Sequence, residues 1–117
     1  MMLDAKSLVD GLYEALRNQD FEKCQTYLHP DYQSETQPEE TGPDAFRRSH
    51  EQLLGGAHRI ERRVLHALSE HDMVCCLHEF SIYPKAEAVP VCVRVADFYE
   101  IRDGLLFRHW DAVQFLP

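Results

Sequence analysis

The chain has 117 residues, 44% of them apolar and 27% charged, values of an ordinary globular domain rather than of a disordered or membrane-spanning chain. Twelve Lys and Arg against 20 Asp and Glu leave a formal charge of -8, which repels nucleic-acid backbones and anionic membrane surfaces. The opening MMLDAKSLVD lacks the basic start and apolar core of a secretory signal, and the expectation is a cytoplasmic protein with one domain over 1–117.

The first third reads as helices. Leu8, Leu12 and Leu16 recur every fourth residue, Val9 and Tyr13 widen the stripe, and Asp4 or Ser7 can cap the start. Asp20 caps a short second helix in which Phe21, Cys24 and Leu28 share a face, ending at His29-Pro30. The polar stretch that follows has room for a short strand around Tyr32. Thr41-Gly42-Pro43 then opens a third helix lined on one side by Phe46, His50 and Leu53 and stopped by Gly55-Gly56.

From Ala57 onward the pattern is strands, roughly 58–68, 72–83, 90–101 and 104–115, separated by short polar turns, the spacing of an antiparallel meander. Alternation places Ile60, Val64, His66, Val74, Cys76, His78, Phe80 and Ile82 on the apolar face. The odd positions of the last two strands, Val91 to Ile101 and Leu105 to Phe115, belong to the same face. They coincide if Arg102-Asp103-Gly104 is a three-residue loop, which sets Asp97 opposite His109 and Val95 opposite Asp111. A two-residue Asp-Gly turn would set Ala96 opposite Asp111 instead. The result is an α+β architecture in which three N-terminal helices pack on a strongly curved, mainly antiparallel sheet.

Metal and redox chemistry find little support. Cys24, Cys75, Cys76 and Cys92 have no zinc-ligand spacing, and His50-Glu51 is followed by Leu54 where a zinc-protease helix needs a second histidine, so no metal or cofactor is expected. The chemistry-bearing group is Asp97, His109 and Asp111 on one apolar wall. Burial and a neighbouring negative charge raise a carboxyl pKa, an imidazolium lowers it, and a carboxyl poised near neutrality can move a proton beside a carbonyl. A plain cross-strand pair of Asp97 with His109 would satisfy the same residues without catalysis. The expected ligand contacts are Tyr32 near the mouth and His66, His78, Phe80, Tyr99 and Phe107. Trp110 points to the other face with Arg108, across from Ala96, which suggests a two-fold dimer burying that face.

The helical opening Leu12-Tyr13-Glu14-Ala15-Leu16 with Asp20-Phe21, the Thr41-Gly42-Pro43 helix start and the closing Asp103-Gly104 through His109-Trp110-Asp111 resemble the SnoaL-like polyketide cyclases and their relatives in the nuclear-transport-factor-2-like superfamily. The resemblance covers the whole chain. It implies a cone-shaped cavity for an apolar small molecule, dimerisation through the sheet and acid–base chemistry on ring systems, with Asp111 matching the proton-transfer aspartate of the cyclases. Ketosteroid isomerase, of the same superfamily fold, works with such aspartates. Three functions follow as alternatives: an enzyme of the cyclase or isomerase type or a related lyase or hydrolase that activates water, a non-catalytic ligand-binding module, and a dimerising interaction protein.

Overall fold

The computed structural model describes residues 4–117, so Met1, Met2 and Leu3 of the expected domain lie outside the described residues. Helix α1 (Ala5–Arg17) buries Leu8, Val9, Leu12, Tyr13, Ala15 and Leu16, and Asp4 caps it by accepting from the Ser7 amide at 2.8 Å. Asp20 caps α2 (Phe21–Gln25) in the same way through the Lys23 amide. This second helix stops earlier than its apolar spacing suggests. Leu28 is the first residue of strand β1 (Leu28–Ser34), where it pairs with Leu106, and His29-Pro30 lies within the strand. Pro30 is tolerated because β1 is a sheet edge, bonded on one side only.

A short 3-10 turn at Pro38–Glu40 leads into α3 (Pro43–Leu54), whose entry residue Gly42 has φ of 95°, a conformation open to glycine and costly for most side chains. The meander follows as β2 (Arg59–Glu70), β3 (Met73–Tyr83), β4 (Val91–Arg102) and β5 (Leu105–Phe115). Sheet order is β1-β5-β4-β3-β2, with β1 parallel to β5 and every other pair antiparallel. The expected α+β arrangement is thus present, as an open curved sheet with the helices against its inner face.

Two bulges decide which side chains reach that face. The β4–β5 turn is the two-residue Asp103-Gly104, both with positive φ (54° and 75°), so Arg102 pairs with Leu105 and Ile101 with Leu106. Phe107 is then an extra residue, after which Glu100 pairs with Arg108, Tyr99 with His109 and Asp97 with Asp111. Odd positions do coincide, as alternation requires, but through a tight turn plus a bulge rather than a three-residue loop. The ladder is shifted by two residues from the expected pairing. Asp97 and Asp111 therefore face each other directly, and Trp110 lies opposite Phe98 instead of Ala96.

The second bulge is at Leu65, between the Val64–His78 and His66–Leu77 pairs. It turns His66 onto the outer, exposed face, away from the position expected of a ligand contact. Arg62, paired with Phe80, is left on the inner face, while Arg59 and Arg63 point outward. No helix among the described residues is long and apolar enough to cross a membrane.

Candidate functional site

The inner face of the sheet and the helices enclose a cavity of about 340 Å³. Its walls are apolar, with Leu16, Leu54, Ile60, Phe80, Ile82 and Val93 among them, and its polar groups gather at Asp97, His109 and Asp111 and across the space at Gln37, Glu40 and His50. This is the size and character of a small-molecule site.

Asp97 lies at the bottom, 1% exposed. Its Oδ2 accepts from the Tyr13 hydroxyl at 2.7 Å and from His78 Nε2 at 2.5 Å, and its Oδ1 accepts from His109 Nε2 at 2.6 Å. The proton positions follow from the outer partners. Arg62 Nε donates to His78 Nδ1 at 2.9 Å, so that nitrogen carries no proton and His78 is neutral with its hydrogen directed at Asp97. On the other side the Tyr32 hydroxyl bonds His109 Nδ1 at 2.9 Å, and burial pushes the Tyr32 phenol far above its ordinary range, so it keeps its proton. Tyr13 spends its proton on Asp97, so Tyr99, 2.6 Å away, donates to the Tyr13 oxygen. Tyr99 also stacks on the His109 ring, centroids 4.1 Å apart.

Burial alone would raise the Asp97 pKa, but the hydrogen bonds donated by His109 and His78 outweigh it and hold the carboxyl at about 2. The poised, near-neutral carboxyl anticipated for this wall is therefore not Asp97, which is a fixed anion with both oxygens hydrogen-bonded to protein. Both ring nitrogens of His109 are engaged as well.

Asp111 is different. Its Oδ1 accepts from the Thr36 hydroxyl at 2.8 Å, and the Thr36 oxygen accepts from the Asp111 amide, which fixes the side chain. Its Oδ2 has no hydrogen-bond partner among the described residues; His109 Nε2, the group paired with it electrostatically, is 4.0 Å away. The side chain is 16% exposed and lines the cavity. Asp97, His109 and Asp111 each offer a ligand atom within 4.8 Å of the others, but the His109 nitrogen that would ligate a metal is occupied by Asp97.

Of the expected ligand contacts, Phe80 lines the cavity. Tyr32, His78 and Tyr99 are buried behind Asp97 and His109 and serve as their hydrogen-bond or stacking partners. Phe107, the bulge residue, packs on His29 and under the Arg102 guanidinium instead. His50 was passed over. It faces the cavity from α3, its Nδ1–H donates to the Phe46 carbonyl at 2.8 Å and its ring stacks on Phe46 at 3.9 Å. Burial lowers its pKa against the partial support of the Phe46 carbonyl, which leaves a neutral ring with its Nε2 lone pair available. The helical spacing of Phe46, His50 and Leu53 already placed it on the right side of the helix; all three line the cavity.

No curated protein matches the chain. Solved structures do. TsrD from Streptomyces laurentii superposes with a TM-score of 0.80 at 21% identity, covering 96% of this chain and 91% of its own. A SnoaL-like polyketide cyclase from Agrobacterium tumefaciens does so with a TM-score of 0.78 at 13% identity, over 97% and 93%. A nuclear-transport-factor-2-like protein of unknown function from Cytophaga hutchinsonii reaches 0.71 at 15% identity, over 100% and 94%. At such identities these likenesses establish the shared fold. The sequence match is the more specific finding: the SnoaL-like domain aligns with residues 9–109, which stops short of Asp111 and the end of β5, and the chain belongs to that family.

Proposed function

We propose that the protein is an acid–base enzyme of the cyclase or isomerase type, acting on an apolar, ring-containing carbonyl compound with Asp111 as the group that takes up and returns the proton. The observation that carries this reading is the free Oδ2 of Asp111, a side chain fixed through Oδ1 by Thr36 and lining an apolar-walled cavity. A carboxylate restrained in this way can meet a carbon acid at hydrogen-bonding distance, the geometric requirement of general base catalysis. Asp97 and His109 then act through position: a fixed anion and a locked imidazole that define the floor on which the reacting ring rests. The SnoaL-like polyketide cyclase from Agrobacterium tumefaciens supplies the analogy for the reaction class.

The test is solvent deuterium exchange at the α-carbon of a two-ring ketone such as 2-tetralone, followed by NMR. Exchange above the buffer rate that falls by roughly 100-fold or more in Asp111→Asn supports the assignment. Exchange at the buffer rate, or the same rate in both proteins, rejects it.

A second reading is a binding module that holds an apolar metabolite without converting it, favoured by the full internal satisfaction of Asp97 and His109. Under either reading we place the protein in the cytoplasm, where its unbridged cysteines would remain reduced, and expect a homodimer through the outer sheet face around Trp110, with no nucleic-acid or membrane partner.

A further inference from the structure

The cavity's polar inventory constrains the ligand beyond its ring. Three carboxylates line it, Glu40, Asp97 and Asp111, and no Lys or Arg does so among the described residues. Two free acceptors stand out for a ligand, and Gln37, whose carboxamide makes no side-chain hydrogen bond among the described residues, adds a neutral donor and acceptor but no positive charge. Asp111 Oδ2 is a carboxyl oxygen without a hydrogen-bond partner among the described residues, and His50 Nε2 is a lone pair because the ring's hydrogen is committed to the Phe46 carbonyl. Glu40 is already engaged by the Ser49 hydroxyl at 2.6 Å. Aromatic rings of Phe46, Phe80 and Tyr13 line the same space and add no positive charge to it. The long-range field of a chain with a charge of -8 acts in the same direction.

We infer that, besides the carbonyl of the proposed reaction, the ligand carries a hydrogen-bond donor, an ammonium or hydroxyl group that reaches His50 and lies within the field of Asp111, and that carboxylate- or phosphate-bearing molecules are rejected. The inference deepens the proposed function by naming the substrate class, and rests on that reading only for the identity of the cavity as the working site. An anion placed there would meet Asp111 without a countercharge, and an acceptor placed against His50 would leave two lone pairs facing each other in a desolvated space. An amine or alcohol satisfies both groups.

Three probes of matched shape test it: 2-aminotetralin, protonated at neutral pH, 2-tetralol, and tetralin-2-carboxylate, each titrated calorimetrically into the full chain at pH 7. The amine should bind at least about tenfold more tightly than the carboxylate, with the alcohol between them. Asp111→Asn keeps the oxygen that Thr36 holds and should weaken the amine by about tenfold. His50→Phe keeps the ring against Phe46, removes the acceptor, and should weaken the alcohol by about fivefold. Equal or tighter binding of the carboxylate, unchanged affinities in both variants, or no binding of any probe overturns the inference. Catalysis fails separately: loss of the exchange reaction with this order of affinities intact rejects the enzyme and leaves the ligand class standing.

Discussion

Asp97 illustrates how one residue's role depends on partners that sequence neighbours do not reveal. Its contacts come from Tyr13, 84 positions earlier, and from His78 and His109 on the strands at either side. Alternation puts Asp97, His109 and Asp111 on one face. It does not tell which is left free, because that depends on Tyr13, Tyr32 and Arg62 arriving from three other elements. The lowered pKa makes a signed prediction. A carboxyl whose folded pKa is about 2, against an ordinary 3.8, contributes stability that is complete above the ordinary value and lost as pH falls through the folded one. That contribution is about 2 kcal/mol, and urea midpoints measured between pH 5 and 2 should decline across that window. His50 adds an earlier step of the same sign. Its folded pKa is lowered, so stability is full above its ordinary value of 6.5 and declines as pH falls below it. His50→Phe should abolish this first step and leave the second. Asp97→Asn removes the carboxylate that two imidazoles and a phenol address, and should cost about 3 kcal/mol at pH 7, read as a lower urea midpoint at unchanged m-value.

At the scale of elements, the helices and strands were legible because each writes its period in apolar residues, and the caps at Asp4 and Asp20 are where side-chain chemistry requires them. What sequence pattern misses is the bulge, since one inserted residue leaves both flanking segments alternating correctly. Phe107 and Leu65 each shift a ladder with no local mark in composition. The consequence at Phe107 is functional: without it, His109 and Asp111 would turn to the outer face. The boundary of α2 was overextended for a related reason, because Leu28 satisfies a helical stripe and a strand equally and the pairing with Leu106 decides. The turn that sets this register also makes a prediction. Gly104 has φ of 75°, where a Cβ crowds its own backbone, so Gly104→Ala should lower stability by about 1 kcal/mol in thermal or urea unfolding. Amide chemical shifts of the cavity should stay near wild-type, since the strain is local to the turn.

For the whole molecule, the proposed homodimer has two candidate faces. The outer sheet face has Phe98, 46% exposed, in direct register with Trp110, and around them a belt of ion pairs: Glu79 with Arg63 and Arg94, Arg108 with Glu35 and Glu100. An aromatic centre with a charged border is the composition of a recognition surface, and a two-fold axis near the Phe98–Trp110 rung would bring the aromatic pair of one copy onto that of the other. The competing surface is the cavity mouth, where Leu53, Val113 and Phe115 are exposed, Phe115 at 73%. A dimer there would cover the ligand's entrance, and a binding or catalytic cavity needs that entrance open. The expected outcome is therefore a homodimer in sedimentation analysis that Phe98→Glu converts to monomer, by burying like charges against each other, and that Phe115→Glu leaves intact. The reverse pattern would move the interface to the mouth and make access to the cavity depend on dissociation.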